Sequence, residues 1–164
     1  MYKQHLLESL EREIKLLKQL APFIEEGDLE FRPAEKLRST YELMQYLSGI
    51  GATMMRWFIL NDLNQEEWIK IREYRKTLSL QNFVERLDEQ SEQIKSYFDK
   101  FSEEELSTKE IEMPNKEKML LGPAILNGPL KWLAAYRMEL FIYLKMNGKS
   151  QLSTKEAWSI LQAV

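Results

Sequence analysis

A chain of 164 residues with 44% hydrophobic and 30% charged residues has the balance of a globular protein, and six glycines and five prolines are too few for a turn-rich β protein. A net charge of −3 excludes the strongly basic surface that attracts a nucleic-acid backbone. The lack of cysteine excludes disulfides, thiolate metal sites and cysteine nucleophiles. We therefore expect one domain, residues 1–164, that binds no nucleic acid.

Neither the N-terminal segment nor the most apolar region of the chain indicates a membrane protein. The N-terminal segment carries acidic residues throughout and lacks the apolar run of a signal peptide. The most apolar region, Met119–Met146, is interrupted by two prolines and by Lys131, Arg137 and Glu139. These patterns predict a cytoplasmic protein that spans no membrane.

The first element is predicted to be an amphipathic helix. Apolar residues recur at alternating spacings of three and four from Leu7 to Ala21, which is the stripe of one helix face. Pro22 and Gly27 then end the helical pattern. Apolar residues outside this stripe would be free to contact a partner; they are Leu6, Leu16 and Leu20.

A second long helix is predicted from Pro33 to about Leu60. Its middle is rich in small residues, which allow another helix or a ligand to approach closely. Gly49 and Gly51 each cost a helix about 1 kcal/mol relative to alanine, so we expect a packing reason for them.

The rest of the chain is divided by capping signals and helix-breaking residues. The predicted elements are a short helix after Asn64, a third long helix after Ser79, a broken connection over Ser102–Glu110, a fourth long helix from between Pro123 and Pro129 to Asn147–Gly148, and a last short helix capped by Ser153. The extended segment Glu110–Pro114 is too short to predict a sheet. Four long amphipathic helices with additional short ones predict an all-α protein, a four-helix bundle.

Two segments carry a resemblance to a known family. Leu37–Ile50 has the sequence LRSTYELMQYLSGI, and Trp132–Gly148 has the sequence WLAAYRMELFIYLKMNG. They resemble the second and fourth helices of the DinB-like, damage-inducible four-helix proteins. The fourth helix of that family contains His-x-x-x-His-Arg-Gly-Gln-Leu and ends in Tyr-Leu-Arg…Gly; the matching residues are Arg137, Leu140, Tyr143, Leu144 and Gly148. The resemblance implies the DinB-like bundle fold.

The residues that hold a divalent metal in this family are not matched. The resemblance places its three histidines on Tyr46, Trp132 and Tyr136, and the family's Gly and Gln on Met138 and Glu139. Indole has no lone pair for a metal, and a neutral phenol is a poor ligand. The chain has one histidine in all, so three histidine ligands are excluded by count. Metal-holding members include thiol-dependent transferases and isomerases; here we expect no metal and no cofactor.

The rings at these positions have two interpretations. They fill the space of the lost metal site as ordinary core, or they line a central cavity that binds a small molecule. The candidate ligand-binding residues are Tyr46, Trp57, Trp132, Tyr136 and Glu139. Glu139 either anchors such a ligand or pairs with Arg56 or another arginine of the bundle. Arg137 is expected to contact a neighbouring helix.

The expected function is accordingly that of a metal-free DinB-like protein whose bundle core is a small-molecule-binding or degenerate-site scaffold. One alternative is a metal-independent acid/base enzyme that uses Glu139 with Tyr136 or Tyr46. Another is a structural or interaction protein, a homodimer that pairs through helix one. A homodimer is expected in either case, because bundles of the resembled family commonly pair through helices.

Overall fold

The computed structural model describes residues 1–113 and 115–161, and it confirms an all-α bundle. The longer helices are α1 (Tyr2–Leu20), α2 (Thr40–Leu47), α3 (Ile50–Met54, extended by a π-helical turn over Met55–Leu60), α4 (Gln65–Lys76), α5 (Phe83–Phe98) and α8 (Lys131–Met146). The shorter elements are 3₁₀ turns at Ala21–Phe23 and Glu26–Asp28, helices α6 (Glu103–Thr108), α7 (Leu121–Ile125) and α9 (Thr154–Trp158), and strands β1 (Glu110–Glu112) and β2 (Lys118–Leu120).

Four helical columns enclose one hydrophobic core. Helix α1 packs on α5 and α8, and the α2–α3 column packs on the same two helices. The apolar stripes that the sequence predicted face inward, because burying them is the main stabilising contribution to a bundle of this size. Fully buried members of this core include Leu10, Leu17, Leu43, Leu47, Ile50, Leu87, Ile94, Phe98, Leu133 and Leu140.

The second helical column differs from the continuous helix that was predicted. It begins at Thr40 rather than Pro33, because Ser39 and Glu42 form a reciprocal capping box: Ser39 N–H donates to Glu42 Oε2 at 2.8 Å, and Glu42 N–H donates to Ser39 Oγ at 3.2 Å. The column is interrupted at Ser48–Gly49, where Gly49 has non-helical backbone angles.

The packing reason expected for the glycines is present at Gly51. A Cβ atom there would lie 2.7 Å from Leu133 Cδ1 and 3.1 Å from Ile94 Cδ1. The buried amide of Gln90 joins the two halves of the column, because its Oε1 accepts from Gly51 N–H at 2.6 Å and its Nε2 donates to the Leu47 carbonyl at 3.0 Å. A side chain from α5 therefore provides hydrogen-bond partners for backbone groups at the end of α2 and the start of α3.

The last column starts earlier than was predicted, at Leu121, and runs through α7, a π-helical turn over Leu126–Leu130, and α8. Pro129 lies inside the π-helical turn. Proline has no N–H and its ring clashes with the carbonyl four residues earlier, so the wider turn lets the column continue past it. The strands form a short antiparallel hairpin with Ile111 opposite Met119, which the sequence did not predict.

Two predictions about individual side chains have clear outcomes. Leu6, Leu16 and Leu20 are at most 3% exposed, so the prediction that they form a surface for a partner is wrong: they belong to the interior of this chain. Arg137 contacts a neighbouring helix as expected, because its Nε donates to Glu13 Oε2 on α1 at 2.6 Å. Among the described residues, no helix combines the length and apolar character needed to cross a membrane.

Candidate functional site

The two tyrosines at the resembled metal positions contact each other directly. Tyr46 near the end of α2 and Tyr136 on α8 meet edge to face, with ring centroids 4.8 Å apart and ring planes 75° apart. Trp132 lies one turn before Tyr136 on α8, and the centroids of the two rings are 6.3 Å apart. The space between the α2 and α8 positions is therefore filled by the rings themselves.

A guanidinium group covers these rings. The Cζ atom of Arg38 lies 4.2 Å from the centroid of the Tyr46 ring and 5.3 Å from that of Tyr136. Arg75 from α4 approaches the Tyr46 ring at 5.3 Å. Aromatic faces carry negative charge density and attract a cation at these distances. The positive charge beside the two tyrosines is therefore that of arginine side chains of this protein.

Trp57 belongs to the same row of rings, but it reaches Trp132 through Phe58. The Trp57 and Phe58 centroids are 4.8 Å apart, and those of Phe58 and Trp132 are 5.7 Å apart. On its other side Trp57 meets Trp68 of α4 at 5.6 Å. We call the residues Tyr46, Tyr136, Trp132, Phe58, Trp57 and Trp68 the aromatic row.

The aromatic row borders a surface cleft of about 700 Å³. Trp57, Phe58 and Trp132, all half-buried, line this cleft, with Asn127 and Lys131 among the polar residues of its wall. The cleft is not the central cavity that the sequence predicted between Tyr46 and Tyr136. It lies beside the part of the aromatic row formed by Trp132, Phe58 and Trp57, where the rings keep part of their surface accessible.

Glu139 has a partner other than those predicted. The Tyr143 hydroxyl donates to Glu139 Oε1 at 2.7 Å, and this pair lies one turn apart on α8. Arg56, the arginine named from the sequence, instead pairs with Asp62 at 2.9 Å and with Glu67 at 3.0 Å. The Glu139 carboxylate is therefore engaged by a buried phenol of its own helix.

Two of these tyrosines are held in the neutral form. Burial, together with the neighbouring Tyr136, raises the pKa of Tyr46 to about 12, against the opposing effect of Arg38 and Arg75. Burial and the hydrogen bond to Glu139 raise the pKa of Tyr143 to about 12. Both phenols therefore keep their proton at neutral and moderately alkaline pH.

The residues at the resembled metal positions do not fit a metal ion. They offer a neutral phenol, an indole and a second phenol, and a guanidinium covers two of the three rings. Over residues 1–113 and 115–161, no group of three or more histidine, cysteine, aspartate or glutamate side chains is arranged to hold a metal. No catalytic step through a metal follows from this site.

Raised tyrosine pKa values predict a loss of stability in alkaline solution. The folded state binds the Tyr143 proton more tightly than the unfolded state, whose phenol keeps its ordinary value of 10. This contribution is complete below about pH 10 and is lost as the pH rises toward about 12. Urea unfolding at about pH 9 and about pH 11 should show a smaller decline for Tyr143→Phe than for the wild type. Tyr2→Phe, at an exposed position, should decline like the wild type, and an equal decline in all three proteins would contradict the prediction.

Comparison with known proteins identifies the fold. No family model matches the sequence, and no curated protein matches it. The chain is similar to the crystal structure of a protein assigned to the DinB family from Exiguobacterium sibiricum, with a TM-score of 0.70 and 18% identity over 90% of this chain and 93% of that one. It is also similar to a DinB-like protein from Bacillus subtilis, with a TM-score of 0.63 and 15% identity over 91% of this chain and 96% of that one. The chain therefore has the fold of the DinB-family proteins, as the two helical segments predicted.

Proposed function

We propose that this chain is a metal-free member of the DinB-like group that binds a small molecule with a flat apolar part. The ligand lies in the cleft lined by Trp57, Phe58 and Trp132. The observation that carries this proposal is that three neighbouring rings of the aromatic row, Trp132, Phe58 and Trp57, line an open cleft instead of being enclosed in the core.

The shape and chemistry of the cleft support binding. Its volume of about 700 Å³ is within the range of small-molecule sites, which is about 300–1,000 Å³. Such sites combine aromatic walls with a few polar groups that orient the ligand, and Asn127 and Lys131 supply an amide and a cation here. Accessible tryptophan faces gain free energy by stacking on a planar ligand.

The other end of the aromatic row supports the metal-free part of the proposal. Tyr46 and Tyr136 contact each other, and Arg38 lies across both rings. A divalent cation placed there would be repelled by the guanidinium, and two phenols and an indole are a poor ligand set for it. Together with Trp132, these residues connect the former metal positions to the wall of the cleft.

A fragment screen followed by isothermal titration calorimetry tests the proposal. For the best planar fragment, Trp132→Leu should weaken binding by about tenfold or more, because the ring that stacks on it is gone. Trp158→Leu is the matched control, since Trp158 is 51% exposed on α9 and lies outside the aromatic row. Binding that is unchanged in Trp132→Leu, or reduced equally in both variants, would contradict the proposed site.

Elemental analysis of the purified chain tests the metal-free part separately. We expect no stoichiometric zinc, nickel or iron, and one such ion per chain bound near Tyr46 and Tyr136 would overturn this part of the proposal.

The acid/base alternative is less favoured by the geometry, because Glu139 accepts a hydrogen bond from Tyr143 rather than from Tyr136 or Tyr46. Pairing into a homodimer stays a prediction and would need a surface other than Leu6, Leu16 and Leu20.

A further inference from the structure

A second, more enclosed cavity has Arg75 in its wall and none of the rings of the aromatic row. It has a volume of about 220 Å³ and is bounded by the α2–α3 junction, α4 and α5. Its wall carries three arginines, Arg56, Arg75 and Arg86, against one carboxylate, that of Glu89. The cavity belongs neither to the cleft nor to the resembled metal positions.

Arg75 brings an uncompensated positive charge to this cavity. Its Nη2 donates to Thr53 Oγ1 at 2.9 Å, but its Nε is buried and has no hydrogen-bond acceptor in the part of the chain that is described. Burial lowers the pKa of Arg75, and the nearby Arg38 lowers it further, whereas Tyr46 opposes the change. A guanidinium keeps its charge even so, and a buried charge of this kind calls for an anionic partner.

Arg86 approaches the same cavity with a second free donor. Its Nη2 donates to Thr77 Oγ1 at 2.8 Å, and its guanidinium stacks on the Tyr74 ring with Cζ 3.5 Å from the centroid. Its Nη1 is buried and donates to no acceptor among the described residues. Glu89 Oε2 forms an ion pair with this atom at 3.7 Å, too long for a hydrogen bond, and accepts from the Tyr74 hydroxyl.

The third arginine, Arg56, does not bring an unpaired charge to the cavity. Arg56 is neutralised outside the cavity by Asp62 and Glu67, at 2.9 and 3.0 Å. The free donors that remain belong to Arg75 and Arg86, which come from different helices and line one enclosed space. Guanidinium groups bind carboxylate and phosphate oxygens through short, charge-assisted hydrogen bonds.

We infer that this cavity is a binding site for a small oxyanion, the carboxylate or phosphate group of a metabolite, held by Arg75 and Arg86. Its volume exceeds what the anionic group alone requires, so there is space for a short organic part. The site does not depend on the proposed ligand of the aromatic cleft. Arg75 belongs to both regions, because its Cζ atom also lies 5.3 Å from the centroid of the Tyr46 ring.

Thermal unfolding of the full chain in inorganic phosphate and in acetate, at constant ionic strength set with chloride, tests the site. A saturable rise in the midpoint is expected with at least one of the two anions, and the stronger of them identifies the source as phosphate or carboxylate. Arg75→Met should weaken the affinity by about tenfold or more, since it removes a charged donor. Arg72→Met is the matched control, an exposed arginine one turn earlier on α4.

A second variant retains both arginines, so its result does not depend on how an arginine substitution affects folding. Gly49→Ala adds a methyl group that would lie 4.0 Å from Arg75 Nε and 3.9 Å from Thr53 Oγ1, so it should also weaken anion binding. A crystal grown in the better anion should place it within hydrogen-bond distance of Arg75 Nε and Arg86 Nη1. No saturable stabilisation by either anion, or an equal loss in Arg72→Met and Arg75→Met, would overturn the inference.

Discussion

Replacing Glu13 by glutamine is expected to lower the free energy of unfolding by about 3 kcal/mol, because it leaves the charge of Arg137 buried without its counter-ion. The side chains of Arg137 and Glu13 are 3% and 14% exposed, and their contact joins α8 to α1 at 2.6 Å. Another group of the same guanidinium donates to the Ala157 carbonyl of α9. Urea unfolding measures the lower free energy of unfolding of Glu13→Gln. Amide hydrogen exchange around Ala157 should be faster in the same variant.

The chain offers a matched control for this substitution. Lys18 and Asp88 also form an ion pair between α1 and another helix at 2.6 Å, but their side chains are 35% and 58% exposed. Solvent screens such a pair, so Asp88→Asn should cost less than about 1 kcal/mol. If Glu13→Gln and Asp88→Asn destabilise the protein equally, burial is not what distinguishes the two contacts.

Replacing Gln90 by methionine is expected to lower the free energy of unfolding by about 2–6 kcal/mol. The substitution keeps the length of the side chain but removes the partners of the Gly51 N–H and the Leu47 carbonyl. Each buried backbone group left without a partner costs about 1–3 kcal/mol. Urea unfolding measures the total, and hydrogen exchange should lose protection first at the Ser48–Gly49 interruption.

Gln93→Met is the control for Gln90, because it makes the same chemical change one turn later on α5 at an exposed position. A surface substitution of this kind changes stability by about 0.5 kcal/mol or less. A Gln90→Met variant as stable as Gln93→Met would mean that the interrupted column finds other hydrogen-bond partners for its backbone.

These two contacts illustrate what the sequence could predict about the fold. The helical periodicity predicted the long helices because each buries one stripe, and that pattern is local. It placed the second column as one helix from Pro33, because the Ser39–Glu42 capping pattern was not used there and a glycine by itself does not require the interruption at Ser48–Gly49. The amide that makes the interruption tolerable comes from Gln90 on another helix, and no local pattern indicates it.

The candidate site was predictable to a similar extent. Spacing placed Trp132 and Tyr136 on one face of a helix, and the resemblance placed Tyr46 against them, as the structure does. Arg38 had no signal, since it precedes the α2 cap in a segment without periodicity. Phe58 could have been found from its position beside Trp57, whereas the approach of Arg75 to Tyr46 arises only from the packing of α4 on α2.

The difference between the predicted cavity and the observed cleft has a physical cause. The space that a metal and its ligands occupy in a bundle core is small, and two tyrosine rings are large enough to fill it. With Tyr46 and Tyr136 in contact, the accessible ring surface is that of Trp57, Phe58 and Trp132 at the cleft. A resemblance that aligns positions along the chain does not predict such a displacement.

The aromatic row has an optical consequence. Three of the four tryptophans of the chain, Trp57, Trp68 and Trp132, lie in it, and the fourth is Trp158 on α9. The intrinsic fluorescence of the unlabelled protein is therefore dominated by one region, where quenching or a spectral shift reports events at the rings. With Trp158→Phe as the background, every emitting indole belongs to that region, and a ligand bound at the proposed site would be detected as a change in tryptophan emission.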